Sequence, residues 1–188
     1  MRRVLVAGIG NVLLGDDGVG PFVIKVLESQ YDFAESVELA DLGTPGLDLL
    51  VYFSAADAVI LIDSAKFGGD AGDTRMFRKD EIVCTPPRTR IDPHSPALRE
   101  SISLVELTGA MPRDLLLIGV EGRGFEPGSP LSPPVRQSIP RVIDAVRREL
   151  HRLDTWCEPK ASAGIPAVWW DPICEQRKER ECACYTSD

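Results

Sequence analysis

Two short segments of this chain, Ala58-Val59-Ile60-Leu61-Ile62 and Leu115 to Val120, carry no polar side chain at any position. A strand with one wet face alternates apolar and polar residues. A strand that does not alternate has to be covered on both faces. Val4 to Ala7 reads the same way, Val37 to Ala40 is a further strand, and Thr74 to Phe77 is a weaker one. Between them lie helical patterns. Val19, Phe22, Val23, Val26 and Leu27 recur at helical spacing, with Pro21 in the first turn. Gly46 to Ala55 reads as a short helix. Ser95 is placed to cap a helix from Pro96 to about Thr108. A long helix is expected from about Pro134 to Leu153, with Val135, Ile139, Val142, Ile143, Val146, Leu150 and Leu153 on one face and Pro140 placed to bend it. Strands alternating with helices predict an α/β fold: a three-layer sandwich with a twisted, mostly parallel sheet and helices on both faces.

The pattern stops at residue 153. Residues 1–153 read as one domain. Residues 154–188 hold Cys157, Cys174, Cys182 and Cys184 and show no period, so they are expected to be a poorly ordered or loosely docked tail. A chain ending at 153 is expected to keep its fold. No Cys-x-x-Cys pair exists, which argues against a tail zinc site. The chain has 21 Lys and Arg against 29 Asp and Glu, a net charge of −8, which repels phosphate backbones and argues against a nucleic-acid partner. The start, Met1-Arg2-Arg3 followed by a few apolar residues, is too short for a secretory signal. No run approaches the ~20 apolar residues of a membrane span. The expectation is a cytoplasmic protein, monomeric, with no membrane partner.

In an open α/β sheet, ligands bind beyond the carboxyl ends of the strands. Asp16 and Asp17 follow the first strand and its glycine-rich loop, Asp63 ends the central strand, and His94 lies in the Pro-rich loop before the Pro96 helix. Carboxylates and an imidazole converging at one sheet edge suit a borderline divalent cation such as nickel or zinc, with positions left open. Each residue also has a plainer reading: Asp17 as a helix-start residue, Asp63 as a turn former, His94 as a loop residue. His151, the other histidine, is placed on the solvent side of the last helix.

The loop from Gly8 to Gly15 tempts a dinucleotide reading. It has four residues where the fingerprint needs two between its second and third glycines, and two Asp stand where a pyrophosphate would sit.

The run Gly8-Ile9-Gly10-Asn11-Val12-Leu13-Leu14-Gly15-Asp16-Asp17-Gly18-Val19-Gly20 resembles the opening motif of nickel–iron hydrogenase maturation endopeptidases. Asp41 to Leu47, Ile62-Asp63-Ser64, Pro93-His94, Gly119-Val120-Glu121 and Leu131-Ser132-Pro133 resemble that family's later motifs, in the right order up to about residue 153. The resemblance implies an enzyme that clips the C-terminal extension from a hydrogenase large-subunit precursor after nickel insertion. It maps the family's metal-contacting acid to Asp17, its central-strand Asp to Asp63 and its His to His94, so these three are expected to carry both nickel contact and catalysis. Asp16 is a candidate supporting group or base. The rivals are a nickel-checking chaperone that holds the precursor without cutting, and a nucleotide-binding α/β protein.

Overall fold

The computed structural model describes residues 2–84, 88, 89, 98–162, 164, 166, 168 and 170. The chain starts with β1 (Val4–Ile9), a 3-10 turn (Gly15–Gly18) and α1 (Val19–Gln30). Then come β2 (Tyr31–Phe33), β3 (Val37–Gly43), a second 3-10 turn (Gly46–Asp48) and α2 (Leu49–Ala55). The second half holds β4 (Ala58–Lys66), β5 (Thr74–Arg78), α3 (Lys79–Cys84), β6 (Arg88–Thr89), α4 (Leu98–Leu107), β7 (Asp114–Val120), α5 (Pro133–Arg152) and β8 (Cys157–Pro159).

The main sheet has the order β3-β1-β4-β7-β5, and β6 pairs with β4 off this path. β3, β1, β4 and β7 run parallel, and β5 is antiparallel to β7. The expected architecture is therefore present. Side-chain alternation sorts the strands into two cores. Val4, Val6, Ile60, Ile62, Leu116 and Ile118 face α1 and α5. Leu5, Ala7, Val59, Leu61, Leu115 and Leu117 face the layer that contributes Phe53, Ile82, Ile102 and Val105. This is why β4 from Ala58 to Ile62 and β7 from Leu115 to Val120 carry no polar side chain: both faces of these stretches are interior.

Several elements exceed their sequence patterns. β4 runs on to Lys66, so Asp63 lies inside the strand and not at its end. The helix expected from Pro96 is described from Leu98; the proposed cap Ser95 lies outside the described residues. α5 runs through Pro140 without interruption.

Just past residue 153 the chain stays on the body. β8 pairs antiparallel with β2, and Val168 is buried against the α1–α5 core. A three-residue strand and single buried side chains leave no periodic trace in sequence, so pattern reading has no means of detecting this attachment. Residues 171–188 lie outside the described residues.

Because the chain passes from β3 on one side of β1 to β4 on the other, the strand order reverses at β1 and β4. That reversal opens a crevice at their carboxyl ends. The pairing of β1 with β4 ends at Gly8↔Ile62, while β4 continues beside β7 through Ser64↔Val120. Asp63 is thus the first residue of β4 with no β1 partner. Above it, α1 sits close on the sheet: a side chain at Gly20 would collide with the Ile9 and Ile62 carbonyl oxygens, so only glycine allows this approach.

Candidate active site

Asp17 reaches the crevice from the 3-10 turn before α1. Its carboxylate is fixed from two sides. Oδ2 accepts the Asn11 backbone N–H at 2.9 Å, and Oδ1 accepts the Ser64 hydroxyl at 3.2 Å. Asn11 belongs to the glycine-rich loop and Ser64 to β4, so one side chain ties together the two strands that bound the crevice. The loop can fold back this far because Gly10 adopts φ +134°, where a side chain would strike the Asp17 carbonyl.

Asp63 is buried beside it. Burial pushes its carboxyl well above the usual carboxylate range, the Asp17 charge pushes in the same direction, and the Ser64 backbone amide opposes them. The causes of that shift include no positive charge. Two acids thus share a crevice at the strand reversal, and the one more deeply affected by burial holds its proton more readily than a free carboxyl. At an effective dielectric near 20, two charges ~4 Å apart interact by about 4 kcal/mol, which a cation between them would turn into attraction.

Asp16 points the other way. It has no exposed surface, and four donors converge on it: the Arg123, Gly124 and Ser132 backbone N–H groups and the Ser132 hydroxyl, at 2.7 to 3.0 Å. Its own N–H donates to the Gly124 carbonyl at 2.7 Å. The geometry makes Asp16 the anchor between the turn that carries Asp17 and the loop from β7 to α5. Ser132, at the N-terminus of α5, spends its hydroxyl on Asp16 and not on its own helix.

Glu121, one residue beyond β7, has an equivalent role that residue-by-residue reading did not assign. Its Oε2 accepts the backbone N–H groups of Phe67, Gly68 and Gly69 at 2.8 to 3.2 Å, holding the turn that follows β4. An acid directly after a fully apolar strand was the available signal. The sequence placed Glu121 in a motif without a side-chain task.

The structure brings Asp17 and Asp63 together. His94 lies outside the described residues. His151 is exposed in the last turn of α5, beside Arg152, which pairs with Asp114 at the opposite end of β7. It is therefore far from the crevice, as its helix face implies. Among the described residues no three His, Cys, Asp or Glu side chains gather as a metal site. The pyrophosphate position of a dinucleotide fold is taken by the buried Asp16 and Asp17, which disfavours that rival reading.

A family model described as hydrogenase maturation protease matches residues 21–149. The chain belongs to the hydrogenase maturation protease family. The hydrogenase expression/formation protein HupD of Bradyrhizobium diazoefficiens is 36% identical over 144 residues, covering 76% of this chain and 75% of the relative. The hydrogenase 2 maturation protease of Escherichia coli is 34% identical over 144 residues, 77% of this chain and 88% of the relative. Among solved structures, the hydrogenase maturating endopeptidase HybD from Escherichia coli superposes with a TM-score of 0.76 at 30% identity, covering 85% of this chain and 98% of that one. Family membership makes the chain an endopeptidase.

Proposed function

We propose that this maturation protease removes the C-terminal extension from the large-subunit precursor of a nickel–iron hydrogenase, and that Asp17, Asp63 and His94 recognise the nickel which the precursor presents. The observation that carries the reading is the Asp17–Asp63 pair: two buried carboxylates, one with its pKa pushed up, side by side where the strand order reverses. Such a pair is stable in its charged form only with a cation against it. Two carboxylates and an imidazole suit nickel, and other divalent ions such as zinc would be accepted too.

In this reading the nickel is part of the substrate and acts as a checkpoint. A precursor without it leaves the two carboxylates repelling each other and binds poorly. Against the scissile bond, a divalent cation supplies Lewis acidity for the carbonyl or for an attacking water. The chain's own residues set the geometry. The Asn11 N–H and the Ser64 hydroxyl hold the Asp17 carboxylate in one orientation. Asp16 and Glu121 fix the loops on either side of the crevice. Gly43, at φ +54° with open space where a side chain would stand, leaves room for the substrate backbone beside the carboxyl end of β3. The reading places the enzyme in the cytoplasm as a monomer acting on a free precursor. The net charge of −8 speaks against a nucleic-acid role, and no helix among the described residues is long and apolar enough to cross a membrane.

The decisive experiment incubates the protein with a large-subunit precursor, with and without nickel, and weighs the products. Loss of the C-terminal extension from the nickel-loaded form alone is the expected result. Stable association with no change in mass would replace the protease reading with that of a chaperone.

A further inference from the structure

The described residues beyond α5 meet the body at a series of points. Asp154, at φ +57°, turns the chain back at the end of the helix. β8 then pairs with β2, and the Lys160 N–H donates to the Gln30 carbonyl at 2.8 Å while its ammonium donates to the Glu28 carbonyl at 2.7 Å. Gly164 donates to the Ser29 carbonyl. Pro166 lines a groove of about 380 Å³ together with Phe22 and Val26. Val168 is 3% exposed in the core beneath α1 and α5. Trp170, partly buried, packs on the α1–α5 core and lines one narrow crevice together with Val12, Gly15, Gly18 and Leu131.

Read in order, the partners on and around α1 are Gln30, Glu28 and Ser29, then Val26 and Phe22, then Gly18 and Gly15. The segment runs antiparallel to α1 from its C-terminus to its N-terminus, about 18 Å at helical rise. It finishes on the loop and turn that carry Asp17.

We infer that Cys157 to Ser162, with Gly164, Pro166, Val168 and Trp170, act as a strap that positions the candidate active site, with Trp170 clamping the glycine-rich loop so that Asp17 keeps its place in the crevice. The loop needs such a clamp. With the turn that follows, it carries Gly10, Gly15 and Gly18, with positive φ at Gly10 and Gly15, and glycine backbone is the least constrained there is. The hydrogen bond on Asp17 Oδ2 comes from this same loop, through Asn11. Val12, its neighbour, lines the same crevice as the indole. An indole bordering this glycine-rich loop brings a large rigid surface to it. Trp170 is a positioning residue here, acting through the loop and not on the substrate.

The inference rests on the reading that Asp17 belongs to the working site, and its test is independent of that reading. In the full chain, Trp170→Ala is compared with wild type by hydrogen exchange of residues 11–18 and by turnover of a nickel-loaded large-subunit precursor. Exchange in 11–18 is expected to rise on the order of tenfold, with the β4 amides 58–62 unchanged, because the loosening is local. The kcat is expected to fall on the order of tenfold to a hundredfold with a smaller change in KM, as for a displaced catalytic group. Trp170→Phe should restore most of both, and Trp156→Ala, whose side chain is 50% exposed, should change neither. Equal acceleration of 11–18 and 58–62 would overturn the inference, since Trp170 would then only stabilise the fold. Unchanged exchange in 11–18 would overturn it as well. If wild type itself fails to cut any precursor, the protease reading falls, and the exchange comparison still decides the strap.

Discussion

The two ends of the sheet handle buried acids in opposite ways. At the amino ends of the parallel strands, Glu149 accepts two hydrogen bonds from Arg78, at 2.6 and 2.8 Å, and two more from Arg152. Asp114 pairs with Arg2 and with Arg152. Burial pushes both carboxyls up, but the guanidinium groups outweigh it and hold them below the usual carboxylate range. At the carboxyl ends, Asp16, Asp17 and Glu121 accept only from backbone amides and hydroxyls among the described residues, and Asp63 is pushed up. One end is electrostatically complete and belongs to stability. The other leaves its acids without a cationic side-chain partner among the described residues.

The largest effect expected from this contrast is on cleavage. Asp17→Asn, Asp63→Asn and His94→Ala should leave soluble, folded protein. Processing of nickel-loaded precursor should drop by about a thousandfold in the two Asn variants, the equivalent of the ~4 kcal/mol attraction between neighbouring charges at effective dielectric 20. Product mass against time measures it. Wild-type rates in both Asn variants would remove the acids from the site.

The opposite sign is expected for stability. Asp63→Asn relieves a buried charge, so the metal-free variant should be more stable to unfolding than wild type by roughly 1–2 kcal/mol. Glu149→Gln, in contrast, should lower stability by about 2 kcal/mol, because it strips charge-assisted hydrogen bonds from a buried acceptor and leaves precursor cleavage at room temperature intact. Chemical denaturation of the three proteins ranks them. A destabilised Asp63→Asn variant would mean that its carboxylate is already compensated.

The pH dependence separates the two ends again, with smaller changes. Glu149 has a lowered pKa, so its stabilisation is full above the ordinary carboxylate value and is lost as pH falls through the lowered one. Asp63 has a raised pKa, so it favours the fold at low pH and costs stability progressively as pH climbs from about 4, its unfolded value, through the raised one. The advantage of Asp63→Asn over wild type should therefore be absent near pH 3 and widen toward neutrality. Melting curves across that range test the direction. The smallest effect belongs to His151→Ala, which should cleave like wild type, since its side chain is exposed at the complete end. A crippled His151→Ala enzyme would move the site to the wrong end of the sheet.

Much of this arrangement was legible in the residues. Unbroken apolar runs announced β4 and β7 because both faces of those runs are covered, and the acids beyond them pointed to the carboxyl ends of the strands. Asp63 was singled out by its apolar run, and Asp17 by its place after the glycine-rich loop. What remained hidden has a common cause. β2, β8 and the attachment of Val168 and Trp170 depend on partners distant in sequence, and a three-residue strand has no period. The division of labour among the acids was equally hidden. Asp16 and Asp17 are adjacent letters, yet one faces four donors on a distant loop and the other faces the crevice. Only the fold tells them apart.

The hydrogen bond between Asp16 and Ser132 spans 116 residues of chain. Asp17 and Asp63 both lie in the first third of the sequence, so a growing chain holds both acids long before the loop that anchors their turn has been made. Closing so long a loop is among the slower events in folding, because its entropy is lost before any contact repays it. The crevice that holds Asp17 and Asp63 is therefore expected to be completed late, since an unfinished copy carries both acids without the anchor of their turn. Asp16→Asn should show this as a slower final refolding phase, recorded as the delayed return of cleavage after the sheet has already re-formed.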